Sequence, residues 1–193
     1  TIPLIIKTSE ITSISLVGIR TFIGSIFLSL FVIKKGLPIK DLIKPGLILG
    51  PLLAIHWVTM FESIELNSVT VGIGSVFSYP IFVLIFEKIK GKILSTNQVL
   101  IIIFGFIGLI ILLDINYIDS ILGVFYGILS AISLSLIITI GEKYSTNLGG
   151  LKVAFTQLLV AGVCLFYFTI EGYQWMISNI IVSLFLGVFL TAI

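Results

Sequence analysis

Residues His56 to Pro80, HWVTMFESIELNSVTVGIGSVFSYP, place His56, Thr59, Glu62, Ser63, Ser75 and Tyr79 inside apolar runs, more than insertion into a membrane needs. The stretch reads as two membrane-spanning helices joined by a short turn near Leu66 and Asn67. At about 1.5 Å rise per residue, His56 and Trp57 lie about 15 Å below the turn, and Tyr79 and Pro80 about 18 Å beyond it. Both polar clusters therefore fall near the bilayer midplane, the depth at which secondary transporters bind their substrates.

The rest of the chain supports a membrane setting. Over 193 residues it is 58% hydrophobic and only 10% charged, with a mean hydropathy of +1.27, whereas a soluble domain carries about 25% charged residues. The formal charge of +2 is spread over lysines in short loops and forms no continuous basic face, which argues against nucleic acid as a partner. A lone cysteine, Cys164, in an apolar run supports neither a disulfide framework nor a thiol metal site. The chain begins at Thr1 without a signal-peptide pattern and ends at Ile193 inside an apolar run, so it reads as an internal piece of a longer protein.

Apolar runs of spanning length cover Ile11 to Ile33, Leu47 to Leu66, Val69 to Ile89, Val99 to Leu113, Ile121 to Ile140, Leu151 to Ile170 and Ile177 to Ile193, with a helix tail at Thr1 to Ile6 and a polar loop at Lys7 to Glu10. The fold class expected is an all-α multi-pass membrane protein, a helical bundle of antiparallel neighbours. Lys34, Lys35, Lys40, Lys44, Lys88, Lys90, Lys92, Lys143 and Lys152 fall in alternate loops. The other loops hold Glu10, Glu65, Asp114, Asp119 and Glu171, with Lys7 as their one basic residue. By the positive-inside rule the lysine-rich side is cytoplasmic, in a cell membrane.

Within the spans, His56, Thr59, Met60 and Ser63 share one helical face, as do Gly72, Ser75 and Tyr79 on the next helix. His56 is the only histidine; near the midplane it can hydrogen-bond a solute or carry a proton. With no Cys, Asp or second His on its face, a metal is not expected there, and no cofactor is called for. Pro80 removes an amide donor to the Val76 carbonyl and predicts a kink. Arg20 and Glu62 are charges within spans and form a candidate gating or packing ion pair. Gly123 and Gly127 stand at GxxxG spacing, followed by Ser130, Ala131, Ser133 and Ser135, a face that either admits a close helix or lines a cavity. The run Val99 to Leu113, VLIIIFGFIGLIILL, has no hydrogen-bonding side chain and reads as peripheral. The substrate-binding set expected is His56, Trp57, Thr59, Met60, Ser75, Tyr79 and Ser130.

Sliding the chain on itself aligns LVGIRTFIGSIFLSLFVI from Leu16 with VAFTQLLVAGVCLFYFTI from Val153, an offset of 137 that pairs Arg20 with Gln157 and Gly24 with Ala161. The match is chiefly one of hydropathy. It divides the chain into a first repeat, 1–114, lacking most of its first helix, and the start of a second, 120–193, cut within its third. Repeats of five helices insert with opposite orientation.

Arg20, the stretch HWVTMFESIELNSV opening a helical pair and SYPIFVLIFEKI closing it, followed by a very apolar helix, resemble the EamA-like members of the drug/metabolite transporter superfamily. The resemblance implies a fragment of a ten-helix transporter built from two inverted five-helix repeats, which exports or exchanges small metabolites through a central cavity. The partners it implies are the lipid bilayer and a small-molecule substrate, with protons as a candidate coupling ion. An enzyme is not expected, because His56 has no nucleophile or Asp beside it in sequence and no GxSxG elbow occurs. The alternatives are an intramembrane enzyme with partners paired in space, and a membrane assembly subunit without transport.

Overall fold

The computed structural model describes residues 11–34, 36, 39–112 and 118–192. The expected helix tail at 1–6, the loop at 7–10, Lys35, Asp114 and Ile193 lie outside them. Every element among the described residues is helical: α1 Ser13–Lys34, α2 Ile39–Leu66, α3 Val69–Val76, α4 Tyr79–Ile89, α5 Thr96–Leu112, α6 Ile121–Leu148, α7 Gly150–Cys164, α8 Phe166–Glu171, α9 Tyr173–Ser178, α10 Ile180–Leu184, and a π-helix over Phe185–Ala192. Four stretches are long and apolar enough to cross a membrane, namely α1, residues 40–66, residues 69–89 and α6, and three apolar helices are shorter.

Three of the expected spans are built differently from continuous helices, Val69 to Ile89 as described below and two others. The run from Leu151 to Ile170 is interrupted at Leu165, whose φ of −103° and ψ of 12° leave the helical well. Its amide still donates to the Ala161 carbonyl, so the axis is disturbed without loss of a backbone bond. The run from Ile177 begins in the last residues of α9, breaks at Asn179, resumes at Ile180 and widens into the π-helix.

The chain divides into two compact units, one of residues 1–54 with 140–193 and the other of residues 55–139. Each draws helices from both sides of the boundary expected between the repeats. In the first unit α1 packs along α7, α8 and the π-helix, burying Leu16, Val17, Ile19, Leu28, Val153, Leu158, Ala161 and Leu186. In the same unit the Thr156 hydroxyl donates to the Leu42 carbonyl at 3.2 Å. Arg20, nearly fully buried, donates from Nε to Thr191 Oγ1 at 3.0 Å and from Nη2 to the Leu190 carbonyl at 3.2 Å.

The second unit is organised by the helical pair around Asn67. Ser68 caps α3 by accepting from the Val71 amide at 3.1 Å, and Gly72 lets α3 lie against α2, where a Cβ would come within 2.6 Å of Ile64 Cγ1. The pair is then held to α6 by Asn67, which donates from Nδ2 to the Ser120 carbonyl at 3.1 Å and accepts from the Ser120 amide at 2.8 Å. Where a kink was expected at Pro80, the helix divides: α3 ends at Val76 and α4 begins at Tyr79, with Pro80 in its first turn. Proline is tolerated there because the first-turn amides have no intrahelical acceptor. Ser78 closes the gap by donating its hydroxyl to the Ser75 carbonyl at 2.7 Å.

Candidate functional site

The site is built where α2, α3 and α6 meet in the second unit. On α6, Gly123, Gly127 and Ser130 recur at helical spacing, so they share one face. Gly123 lies against Leu66 and Asn67, and Gly127 against Ser75 and Ser63, with a Cβ on Gly127 falling 2.9 Å from Ser63 Oγ. No side chain fits at either glycine, and that absence brings the backbone of α6 close enough for Ser130 to reach His56.

Ser130 Oγ lies 2.8 Å from both His56 Nδ1 and the His56 carbonyl, and the Ser130 carbonyl lies 3.1 Å from His56 Nδ1. A hydroxyl has one proton, and a carbonyl can only accept. One assignment satisfies all three contacts: Ser130 donates to the His56 carbonyl, and His56 Nδ1–H donates to Ser130. That places a proton on Nδ1.

The neighbouring polar groups differ in how they are held. Thr59 donates to the Ile55 carbonyl at 2.7 Å, and Ser75 to the Val71 carbonyl at 2.8 Å. Ser63 is fully buried, and its hydroxyl has no hydrogen-bond partner among the described residues. Such groups are rare in folded proteins. The structure thus brings His56, Thr59, Ser63, Ser75 and Ser130 together; Trp57 and Met60 are half-buried on the same helix.

Tyr79 and Pro80 are placed elsewhere. With Phe77, Ile101, Ile102 and Phe106 they line an apolar cavity of about 580 Å³ between α4 and α5. Along α5 itself Ile101, Ile103, Phe104, Ile107 and Ile111 are exposed. Arg20 and Glu62 fall in different units, and Arg20 has the acceptors in its own unit described above.

Two polar contacts escaped the sequence reading. Asn67 looked like a turn residue, and nothing in its neighbourhood names Ser120 as a partner. At the other end of the helical pair, Lys90 Nζ donates to the Thr139 carbonyl at 2.5 Å and to Glu87 Oε1 at 3.3 Å, while Lys92 also pairs with Glu87. Glu87, Lys90 and Lys92 stand close in sequence, which is the signal for the ion pairs, but the bond to α6 is a product of packing alone. Among the described residues no group of histidine, cysteine or carboxylate side chains could hold a metal ion.

Apolar helices of spanning length with buried polar groups at their crossings define a multi-pass helical membrane protein. The family model of EamA-like transporters matches residues 2–114, more than half of the chain, and the chain belongs to that family. Its activity is accordingly that of a membrane transporter in the general sense. No curated protein and no solved structure matches the chain.

Proposed function

We propose that the protein moves a small polar metabolite across the cell membrane, by export or exchange, through alternating access around the layer formed by His56, Thr59, Ser63, Ser75 and Ser130. The observation that carries this reading is the layer itself. Buried polar groups in a membrane interior are costly, and a hydroxyl such as that of Ser63 has no lipid partner to turn to. The buried Ser63 hydroxyl, which has no hydrogen-bond partner among the described residues, can donate to and accept from a solute with hydroxyl, amine or amide groups. Trp57 and Met60 supply apolar surface beside them, and Tyr79 and Pro80 shape the discontinuous helix that bounds the layer. The lysine-rich loops face the cytoplasm, and a proton is the coupling ion that a neutral histidine can serve.

The test is uptake of a radiolabelled panel of amino acids, amines and nucleosides by the purified protein in proteoliposomes. Saturable uptake of at least one class, above that of empty vesicles, supports the reading. Its absence for every class, with the protein folded by circular dichroism, contradicts it.

A further inference from the structure

Carrying residues forward by the repeat offset of 137 takes Ile23 to Val160, Gly24 to Ala161 and Gly50 to Gly187. If two copies are related by a two-fold axis, any contact between residue i of the first and the image of j in the second requires a reciprocal contact between j and the image of i. The first unit contains such a pair. A Cβ on Gly50 would come 2.5 Å from Val160 Cβ, and one on Gly187 would come 2.5 Å from Ile23 Cβ. These two contacts are images of each other under the offset, and they agree in distance.

We propose that α1 and α7, with the segments around Gly50 and Gly187 packed on them, form a two-fold seam that keeps its geometry throughout the transport cycle. The proposal rests on the alternating-access reading above. Where inverted repeats exchange conformations to turn one facing state into the other, every contact of one repeat becomes the corresponding contact of its mate. A contact already equal to its image is carried onto itself and need not change. Close packing reinforces this: a Cβ on either glycine would fall 2.5 Å from a branched side chain, so the backbones already lie close against their neighbours. Motion is thereby confined to the parts of the chain outside the seam.

The test uses spin labels at exposed positions, so that packing is not disturbed. Leu47, Ile26, Val163 and Leu184 are all exposed, and the offset takes Ile26 to Val163 and Leu47 to Leu184. In a Cys164→Ala background, one sample carries labels at Leu47 and Val163 and a second carries them at Leu184 and Ile26. Double electron–electron resonance in proteoliposomes is expected to give the same mean distance for both pairs. Neither distance is expected to move on addition of a panel solute that the protein carries or on imposing a pH gradient. Unequal means would overturn the two-fold seam, and a shift in either pair under transport conditions would overturn its fixity. If no panel solute is taken up, the transport reading falls, while the comparison of the two means still decides the symmetry.

Discussion

Ser130 donates its one hydroxyl proton to the His56 carbonyl and accepts the ring proton from His56 Nδ1, both at 2.8 Å, so one serine ties both the backbone of α2 and the ring of its histidine to α6. Because His56 is the only histidine, the imidazole nitrogen signals of a ¹⁵N-labelled sample belong to it alone. A spectrum showing the proton on Nδ1 is expected for the wild type. Ser130→Ala should lower stability by about 1–2 kcal/mol, because hydrogen bonds between membrane helices contribute about 0.6 and at most about 1.7 kcal/mol each. The ring proton should stay on Nδ1, because the backbone carbonyl of residue 130, 3.1 Å from Nδ1, still accepts it.

Gly127 sets the approach of α6 to Ser63 and Ser75. Gly127→Ala should therefore destabilise the protein by about 1–3 kcal/mol through overpacking, seen as a lower midpoint in thermal unfolding. Gly105→Ala provides the control: it has open space around its Cα and sits inside α5, where alanine is the better helix former by about 1 kcal/mol. Equal destabilisation by the two changes would refute the close contact.

Asn67 exchanges two hydrogen bonds with the Ser120 backbone. Asn67→Ala strands the Ser120 amide, while the Ser120 carbonyl keeps the Val124 amide at 3.2 Å, and should cost about 1–3 kcal/mol. Asn67→Asp retains an acceptor for the amide while losing the donor to the carbonyl, so its midpoint is expected between those of wild type and Asn67→Ala. A midpoint for Asn67→Asp below that of Asn67→Ala would show that the amide bond is not the one that matters.

The helical class was legible because length and apolar composition are one-dimensional properties: α1, the α2 segment and α6 follow directly from their runs. The polar face of α2 was legible too, since 3.6-residue periodicity places His56, Thr59 and Ser63 on one side. Periodicity says which residues share a face, however, and not what that face meets. The sequence therefore offered His56 and Ser130 as separate candidates, while their pairing depends on the approach that Gly123 and Gly127 permit. For the same reason Tyr79, grouped with His56 by depth, turned out to line a different cavity with α5. The division at Phe77 and Ser78 was foreshadowed by Pro80, but proline alone does not distinguish a kinked helix from two helices closed by a serine hydroxyl.

Orientation is open to a direct check. A cysteine at Asp119, in a Cys164→Ala background, should react with an impermeant maleimide added to intact cells, and a cysteine at Lys90 only after permeabilisation. The reverse pattern would invert the assignment made from the loop charges.

The central claim is that the layer around His56 serves transport rather than packing alone, and His56→Asn separates the two. The asparagine amide can stand in for Nδ1–H toward Ser130 but has no atom in the place of the far side of the ring, so the hydrogen bond that holds α2 to α6 is kept while the rest of the imidazole is lost. The decisive measurement is the initial rate of panel-solute uptake by wild type and His56→Asn in proteoliposomes, alongside their thermal midpoints. The account predicts matched midpoints with uptake by the variant reduced at least about tenfold, the effect of losing about 1.4 kcal/mol from the rate-limiting state. Uptake by His56→Asn at the wild-type rate would contradict it.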